Sequence, residues 1–433
     1  MNEIVQLLCG QLDDFISSLF TGQDTRYAKK RAARKGETMS EALDFRKSLA
    51  RQLLSSGMTE ADFDNHPTVA TTLAAAPGLA AHPTIAFPAT LRPIPVPIDP
   101  MPALDAALPR ADVVVITWTV DETMALCDVM TPGFSRDHWY RYARNFDQYL
   151  PKIRAGAPAR GVMRLASYFP VQIGAKKVLC MKSELHLNQD GITRPPAGSA
   201  HQASLPVRDL FHQILDETRA KLIITTGTAG AVFAGHDLGD VVVTRGAKFR
   251  CKQEFRDSPF NDKIYKSKWT VKTKHFAKAV ALMGAFKPEL AEPEFLPPTV
   301  NYAPLDNIPK PIRENNPDIK LDGRDMPAFH PILTTDFFEF GTSLNHLEEI
   351  GCAVEMGDAV LGLVVEERAA AGKSTPRWLV VRNCSDPQIN GRLRSKPARQ
   401  SLQAMWAVYY YLGFGYWTSM NSALACWAII ASN

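Results

Sequence analysis

Leu222-Ile223-Ile224-Thr225-Thr226-Gly227-Thr228-Ala229-Gly230 begins as an apolar, β-branched run and closes on two glycines. The first half has the composition of a strand buried on both faces of a parallel sheet. The second half, residues 226–230, predicts a tight glycine turn whose backbone amides and hydroxyls could hold an anion, a ribose oxygen or a water. Leu238-Gly239-Asp240-Val241-Val242-Val243-Thr244 follows, so the order is strand, glycine turn, hairpin-like excursion and a second buried strand. Outward from this pair, similar runs occur at residues 111–117, 177–181 and 378–382, with helical periodicity at 207–220 and 343–350. Strands alternating with helices predict an α/β sandwich with a largely parallel sheet, in which ligands sit where strands end.

The chain has 433 residues, enough for two or three domains at about 150 residues each. With 45% apolar and 22% charged residues it is not a disordered chain, and 49 basic against 45 acidic side chains exclude a polycation. Any basic surface must be local. The seven cysteines are odd in number and never paired as C-x-x-C, which argues against a zinc ribbon or disulfide framework and for a reducing, cytoplasmic setting. The ten histidines show no ligand spacing such as H-E-x-x-H, so no metal is expected. The N-terminus lacks a basic n-region and reaches Asp13-Asp14 too soon for a secretory signal.

Periodic apolar positions at 3–20 and 40–54 predict a helical N-terminal module over residues 1–66. The basic run Lys29-Lys30-Arg31-Ala32-Ala33-Arg34-Lys35 within it is read as a solvated helix face, with no nucleic-acid partner. Ten of the 31 prolines fall in residues 67–110, a linker or wrapping arm. Residues 288–331 hold ten more and predict a loop insertion, either a surface excursion or a lid. Residues 400–433 contain no Asp, Glu, Lys or Arg, but Gly413 and Gly415 interrupt them. Two buried or subunit-interface helices are expected there rather than a membrane span.

Four further segments carry chemistry-bearing residues in a telling order: Val115-Ile116-Thr117-Trp118-Thr119-Val120-Asp121-Glu122, Thr335-Asp336-Phe337-Phe338, Ala353-Val354-Glu355-Met356 and Arg382-Asn383-Cys384-Ser385-Asp386. Together with residues 226–230 and 238–240 they resemble the nucleoside phosphorylase and nucleosidase superfamily, which includes purine nucleoside phosphorylases and methylthioadenosine/S-adenosylhomocysteine nucleosidase. The similarity runs from residue 111 to the C-terminus, excluding the first 110 residues and the proline-rich insertion. It implies a three-layer sandwich with a mixed, largely parallel central sheet over 111–433, a purine nucleoside or nucleotide as substrate, a homo-oligomer and no cofactor.

By that resemblance Asp386 stands where the family acid protonates the leaving purine, and Glu122 aligns with the glutamate that activates water in the hydrolases. Thr226, Gly227 and Thr228 form the glycine turn at the substrate, and Phe338 matches the aromatic that stacks on the base. Glu355 and Met356 match the first two residues of a Glu-Met-Glu signature. Gly357, followed by Asp358, stands where the second glutamate would grip the ribose, which leaves three expectations: Asp358 reaches in with a shorter arm, Glu355 substitutes, or the sugar is held differently. Ordinary structural roles compete with each: a first-turn carboxylate of a helix beginning near Thr123 for Glu122, a helix-capping aspartate for Asp386, core packing for Phe338.

An N-glycosidic bond breaks when an acid protonates the purine while positive charge develops on the ribose, so an aspartate acid needs a raised pKa. The attacking group is water or phosphate. Family phosphorylases hold phosphate with arginines before the glycine turn and in the first loop, where this chain has Ile224-Thr225-Thr226 and Trp118 to Glu122. Without a guanidinium fork there, hydrolysis is favoured over phosphorolysis. Residues 245–274 hold ten basic side chains against three acidic ones, so Arg245 and Lys248 are candidates for a 5′-phosphate. Three alternatives stay open: a phosphorylase, a non-catalytic nucleotide-sensing or assembly protein, and a nucleotide-depleting antiviral effector gated by its N-terminal module.

Overall fold

The computed structural model describes residues 83–155, 157–187, 192–193, 202–269, 271–284, 318–322, 329–337, 339, 341, 345–386, 388 and 396–432. The helical module expected over 1–66, Phe338 and most of the 288–331 insertion lie outside them.

Four parallel strands form the centre: β2 (Val113–Thr117), β5 (Lys176–Ser183), β6 (Leu222–Ala231) and β13 (Arg377–Asp386). Their β-branched composition follows from burial on both faces. Val113 and Val115 point into one apolar core while Val114 and Ile116 point into the other. Among the described residues the sheet has thirteen strands and is mixed. On one side β5 is followed by antiparallel β4 (Ala166–Ile173), which carries β1 (Ile94–Pro95) and β3 (Tyr140–Tyr142). On the other, β6 is flanked by β12 (Ala353–Glu355), then β11 (Ile332–Thr334), β8 (Gly246–Phe249) and β9 (Ile264–Lys266). β7 (Val241–Thr244) pairs with β13 and with β10 (Ile319–Leu321).

Helices cover both faces, as the strand and helix pattern implies. Helices α1 (Val120–Met130), α3 (Ala277–Met283) and α5 (Lys396–Ala431) supply one core, and α2 (Pro206–Thr218) and α4 (Asp358–Ala370) the other. The sheet is thus the middle layer of a three-layer α/β sandwich.

Several expectations are corrected. Residues 226–230 do not form a turn, because β6 runs on through them to Ala231. Residues 382–386, which the resemblance reads as the loop bearing the acid, are likewise strand, ending at Asp386. The insertion is not wholly loop, since Ile319–Leu321 adds a strand beside β7. Of the helix expected at 343–350, the described part is only a short 3-10 turn, Leu347–Glu349.

The charge-free C-terminus is one helix rather than two. Each interior glycine costs a helix about 1 kcal/mol, less than the burial of its apolar side chains returns. From Phe414 to Ile430 these side chains are buried against α1, β6 and β13. Its few polar groups bond inward: Thr418 Oγ1 accepts from Asn383 Nδ2 at 2.8 Å, and Tyr416 donates to Asp128 at 2.6 Å. Among the described residues no helix is long and apolar enough to cross a membrane.

The described part of the proline-rich arm runs along the molecule. Ile94–Pro95 pairs with β4, and Leu91 O accepts a 2.8 Å hydrogen bond from Trp427 Nε1. Its missing amide donors suit a strand at the sheet edge.

Candidate active site

Helix α1 begins one residue beyond Thr119, and the cap explains how Glu122 is aimed. Thr119 Oγ1 accepts from the Glu122 amide, while the Glu122 side chain returns to accept from the Thr119 amide at 2.9 Å, a reciprocal capping box. The same Oε2 accepts from Thr117 Oγ1 at 2.8 Å and from the Trp118 amide at 3.0 Å. The other oxygen, Oε1, accepts from both the amide and the hydroxyl of Thr228, each at 2.7 Å. The structural role foreseen for Glu122 is therefore present, and the carboxylate is locked.

Gly227 makes this possible. A Cβ on it would lie 2.3 Å from Glu122 Cδ, and its φ of +143° is a conformation that side chains disfavour. The glycine that reads as a turn serves instead to admit a carboxylate against the strand.

Above Glu122 lies Arg382, in the position on β13 that pairs with Gly227. It forms a two-point ion pair with Asp358 (Nε to Oδ2 2.9 Å, Nη2 to Oδ1 2.6 Å), reaches Glu355 at 3.3 Å and lies 3.9 Å from Glu122. It also donates to Thr228 O at 3.2 Å and sits 4.7 Å from the centre of the Trp118 ring. Arg382 was not among the residues assigned a role from sequence. Its signal was a lone charge in the run Trp378-Leu379-Val380-Val381, where an unpaired cation would be untenable.

Glu355 closes β12 and bonds the Thr334 hydroxyl. Both its oxygens accept from the Asp358 amide, at 3.0 and 3.1 Å. Asp358 opens α4 and is fully buried. Neither is free to reach outward as a ribose ligand in this arrangement. Gly357 lies so close to Trp118 that a Cβ there would stand 3.3 Å from the indole Cζ2. Position 357, where the resemblance would put a ribose-gripping glutamate, is thus crowded by Trp118, which is fixed by donating from Nε1 to Leu185 O at 3.0 Å.

Asp386 ends β13 just past a register shift, and its Oδ1 accepts from Ser385 Oγ at 2.9 Å. A Cβ on its strand partner Gly230 would come within 2.9 Å of Oδ2. Glu122 meets β6 at residues 227–228 and Asp386 meets it at 230, so the contact points are roughly 7–10 Å apart at the strand rise. Glu122, Arg382, Glu355 and Asp358 are buried, whereas Thr228, Met356 and Asp386 are half-buried and form the side that solvent reaches.

The two carboxyls are shifted in opposite directions. Burial pushes Asp386 up to about 6, against the opposing pull of the Ser385 hydroxyl. Burial would also raise Glu122, but the Arg382 charge and the amides of Thr119, Thr228 and Trp118 outweigh it and hold the group below the usual carboxylate range. Glu355 is pushed up to about 8 by burial and by the neighbouring Asp358. His186, 6.1 Å from the Trp118 ring, is pushed down to about 4 by burial and by the Lys182 and Arg382 charges, so it is neutral at neutral pH.

The other candidates fall elsewhere. Thr226 is buried on β6. Arg245 faces Asp322 at 3.4 Å and Lys248 lies 3.9 Å from Asp262, and neither touches the group around Arg382. Arg250 and Lys252 stand closer to the predicted base-stacking segment. Arg250 is paired with Glu339 at 2.8 and 2.9 Å, and the Lys252 ammonium lies 4.8 Å from the Phe337 ring centre. Among the described residues no His, Cys, Asp and Glu side chains group as metal ligands.

No family model matches the chain, and no curated protein does. Solved structures do resemble it. A putative 5′-methylthioadenosine/S-adenosylhomocysteine nucleosidase from Borrelia burgdorferi, bound to adenine, is 14% identical over 74% of this chain and 100% of its own, with a TM-score of 0.39. The corresponding nucleosidase of Helicobacter pylori is 10% identical over 75% and 99%, with a TM-score of 0.38. Futalosine hydrolase of Helicobacter pylori is 11% identical over 74% and 97%, with a TM-score of 0.35. Likenesses of this size leave both fold and chemistry to be argued from the chain's own strands and side chains.

Proposed function

We propose that this chain hydrolyses the N-glycosidic bond of a purine nucleoside or nucleotide, with residues 111–433 as the catalytic unit. The observation that carries the reading is the pair of carboxyls set along β6, Asp386 pushed up to about 6 and Glu122 held ionised. Two titratable groups driven apart in this way are suited to acid and anion roles in one reaction.

In this reading Asp386 protonates the departing purine. Glu122 remains anionic and stabilises the positive charge that develops on the ribose. Its low proton affinity makes it a poor base towards ordinary water, but water adding to an oxocarbenium-like carbon becomes strongly acidic. The Thr228 hydroxyl, half-buried and 2.7 Å from Glu122 Oε1, offers a path for that proton.

Arg382 bears on the choice between water and phosphate. It supplies a guanidinium that the flanking loops lack, yet Asp358 holds it at two points and Glu122 and Glu355 surround it. A phosphate dianion would meet carboxylates there, which favours water. The base-stacking role of Phe338 remains part of the proposal as a specificity contact, as does assembly as a homo-oligomer, whereas Arg245 and Lys248, which face Asp322 and Asp262 away from Arg382, are left out of it.

The test is chromatography of purine nucleosides and their 5′-phosphates incubated with the protein, with and without phosphate. Free base and free sugar, independent of phosphate, are expected. Sugar 1-phosphate would establish phosphorolysis instead. Binding without base release would favour a sensing protein, a reading supported by Trp118 crowding the ribose-contact position at Gly357.

A further inference from the structure

The end of the sheet opposite the carboxylates carries a groove that the proposed reaction does not use. The four central strands begin there, and their first residues surround a cavity of about 360 Å³. Its floor is apolar, formed by Val113, Leu222 and Ile430, all buried. Trp269 stands at its side, half-buried. Backbone bonds hold this edge together: the Lys221 and Leu222 amides donate to Asp112 O at 3.0 and 3.2 Å, and the Arg377 amide donates to Lys221 O at 2.9 Å.

Three cations ring the groove: Lys176, Lys221 and Arg377. Lys221 is paired with Asp112, the only carboxylate in the lining, at 3.2 Å. Among the described residues no carboxylate lies within ion-pair distance of Arg377 or Lys176, so the groove carries a net positive charge over an apolar base. An exposed guanidinium can grip a phosphate by two parallel hydrogen bonds, and an indole flank suits a planar ring. The volume is at the lower end of those that take small molecules, roughly 300–1,000 Å³.

We propose that this groove is a second binding site, for a small molecule bearing a planar ring and a phosphate, of the nucleoside monophosphate class. The ring lies on the apolar floor beside Trp269 and the phosphate meets Arg377, while Lys176, three strand spacings away across the groove, adds positive charge to the same cavity. The site is separate from the carboxylate site, since Arg377 and Arg382 are five residues apart on β13, about 17 Å at the strand rise.

Equilibrium dialysis with AMP tests this, using the Asp386→Asn protein so that nothing is turned over. The number of AMP bound per chain should fall by one in the Lys176→Ala/Arg377→Ala variant, whose replaced side chains lie at the surface and leave the core unchanged. AMP should also quench tryptophan fluorescence, and Trp269→Phe should remove that quench. Adenosine and ribose 5-phosphate, each lacking one half of the ligand, should bind at least about tenfold more weakly. An unchanged number of bound AMP in the double variant, no AMP bound at millimolar concentration, or inorganic phosphate binding as tightly as AMP would each overturn the proposal. None of these outcomes depends on whether the chain cleaves a glycosidic bond.

Discussion

Asp386 and Glu122 owe their opposite protonation states to different numbers of donors. Glu122 accepts five hydrogen bonds and faces a guanidinium; Asp386 accepts from one hydroxyl, and its Oδ2 lies over Gly230, within 2.9 Å of where a Cβ would stand. Asp386→Asn should therefore lower base release by about 10²–10⁴-fold, the usual worth of a general acid, measured as free purine per unit time. The same change should stabilise the fold. A carboxyl raised to about 6 contributes stability below its ordinary value near 4 that is lost as pH rises through about 6. At pH 7 the asparagine protein should therefore resist urea better by about 1–2 kcal/mol, allowing for the solvent that reaches the side chain. Loss of activity joined to a gain in stability separates a group kept for chemistry from one kept for structure. Thr228→Val, which keeps the shape and removes the hydroxyl between Glu122 and the open side, should slow turnover by about tenfold or more with little change in substrate affinity, read as a fall in kcat at constant KM.

Among the elements, the central strands were legible because burial on both faces demands β-branched residues, which 113–117, 222–226 and 378–382 supply. Glycine misled in both directions. At 226–230 it reads as a turn, yet Gly227 stays in the strand and gives its missing side chain's space to Glu122. In the C-terminal segment it reads as a break, yet α5 continues through Gly413 and Gly415 because packing supplies what propensity withholds. Helix α4 escaped notice for another reason. Ala359-Val360-Leu361-Gly362-Leu363-Val364 is buried all round, so it shows no polar stripe and no period. Of the candidate site, Glu122 and Asp386 are singled out by resemblance alone, and their roles are proposals. Arg382 was visible only as an oddity, because nothing local tells which carboxylates will meet it. Gly227→Ala tests the strand reading. The added methyl must displace the Glu122 carboxyl and strain a left-handed residue, so thermal unfolding should show a loss of roughly 2–4 kcal/mol, with activity abolished.

At the scale of the whole molecule, Arg382 ties three segments far apart in sequence. Its carboxylate partners come from the start of α1, the end of β12 and the start of α4. Replacing it with methionine keeps the length and leaves three buried carboxyl groups uncompensated. The variant should lose about 3–5 kcal/mol of stability at pH 8. The loss should be smaller at pH 5, where those groups can take up protons, and urea unfolding at the two pH values measures the difference. In the proposed reaction this cluster would face the positive charge that develops at the glycosidic carbon, with Asp386 as the proposed proton donor. The most direct measurement of this account is the pH dependence of purine release by the wild-type protein and by Asp386→Asn. Wild-type release should decline as pH rises through about 6, where the acid loses its proton, and the asparagine variant should be folded but nearly inactive at every pH. Release by the asparagine variant at the wild-type rate, or a wild-type rate that does not change between pH 5 and 8, would contradict it.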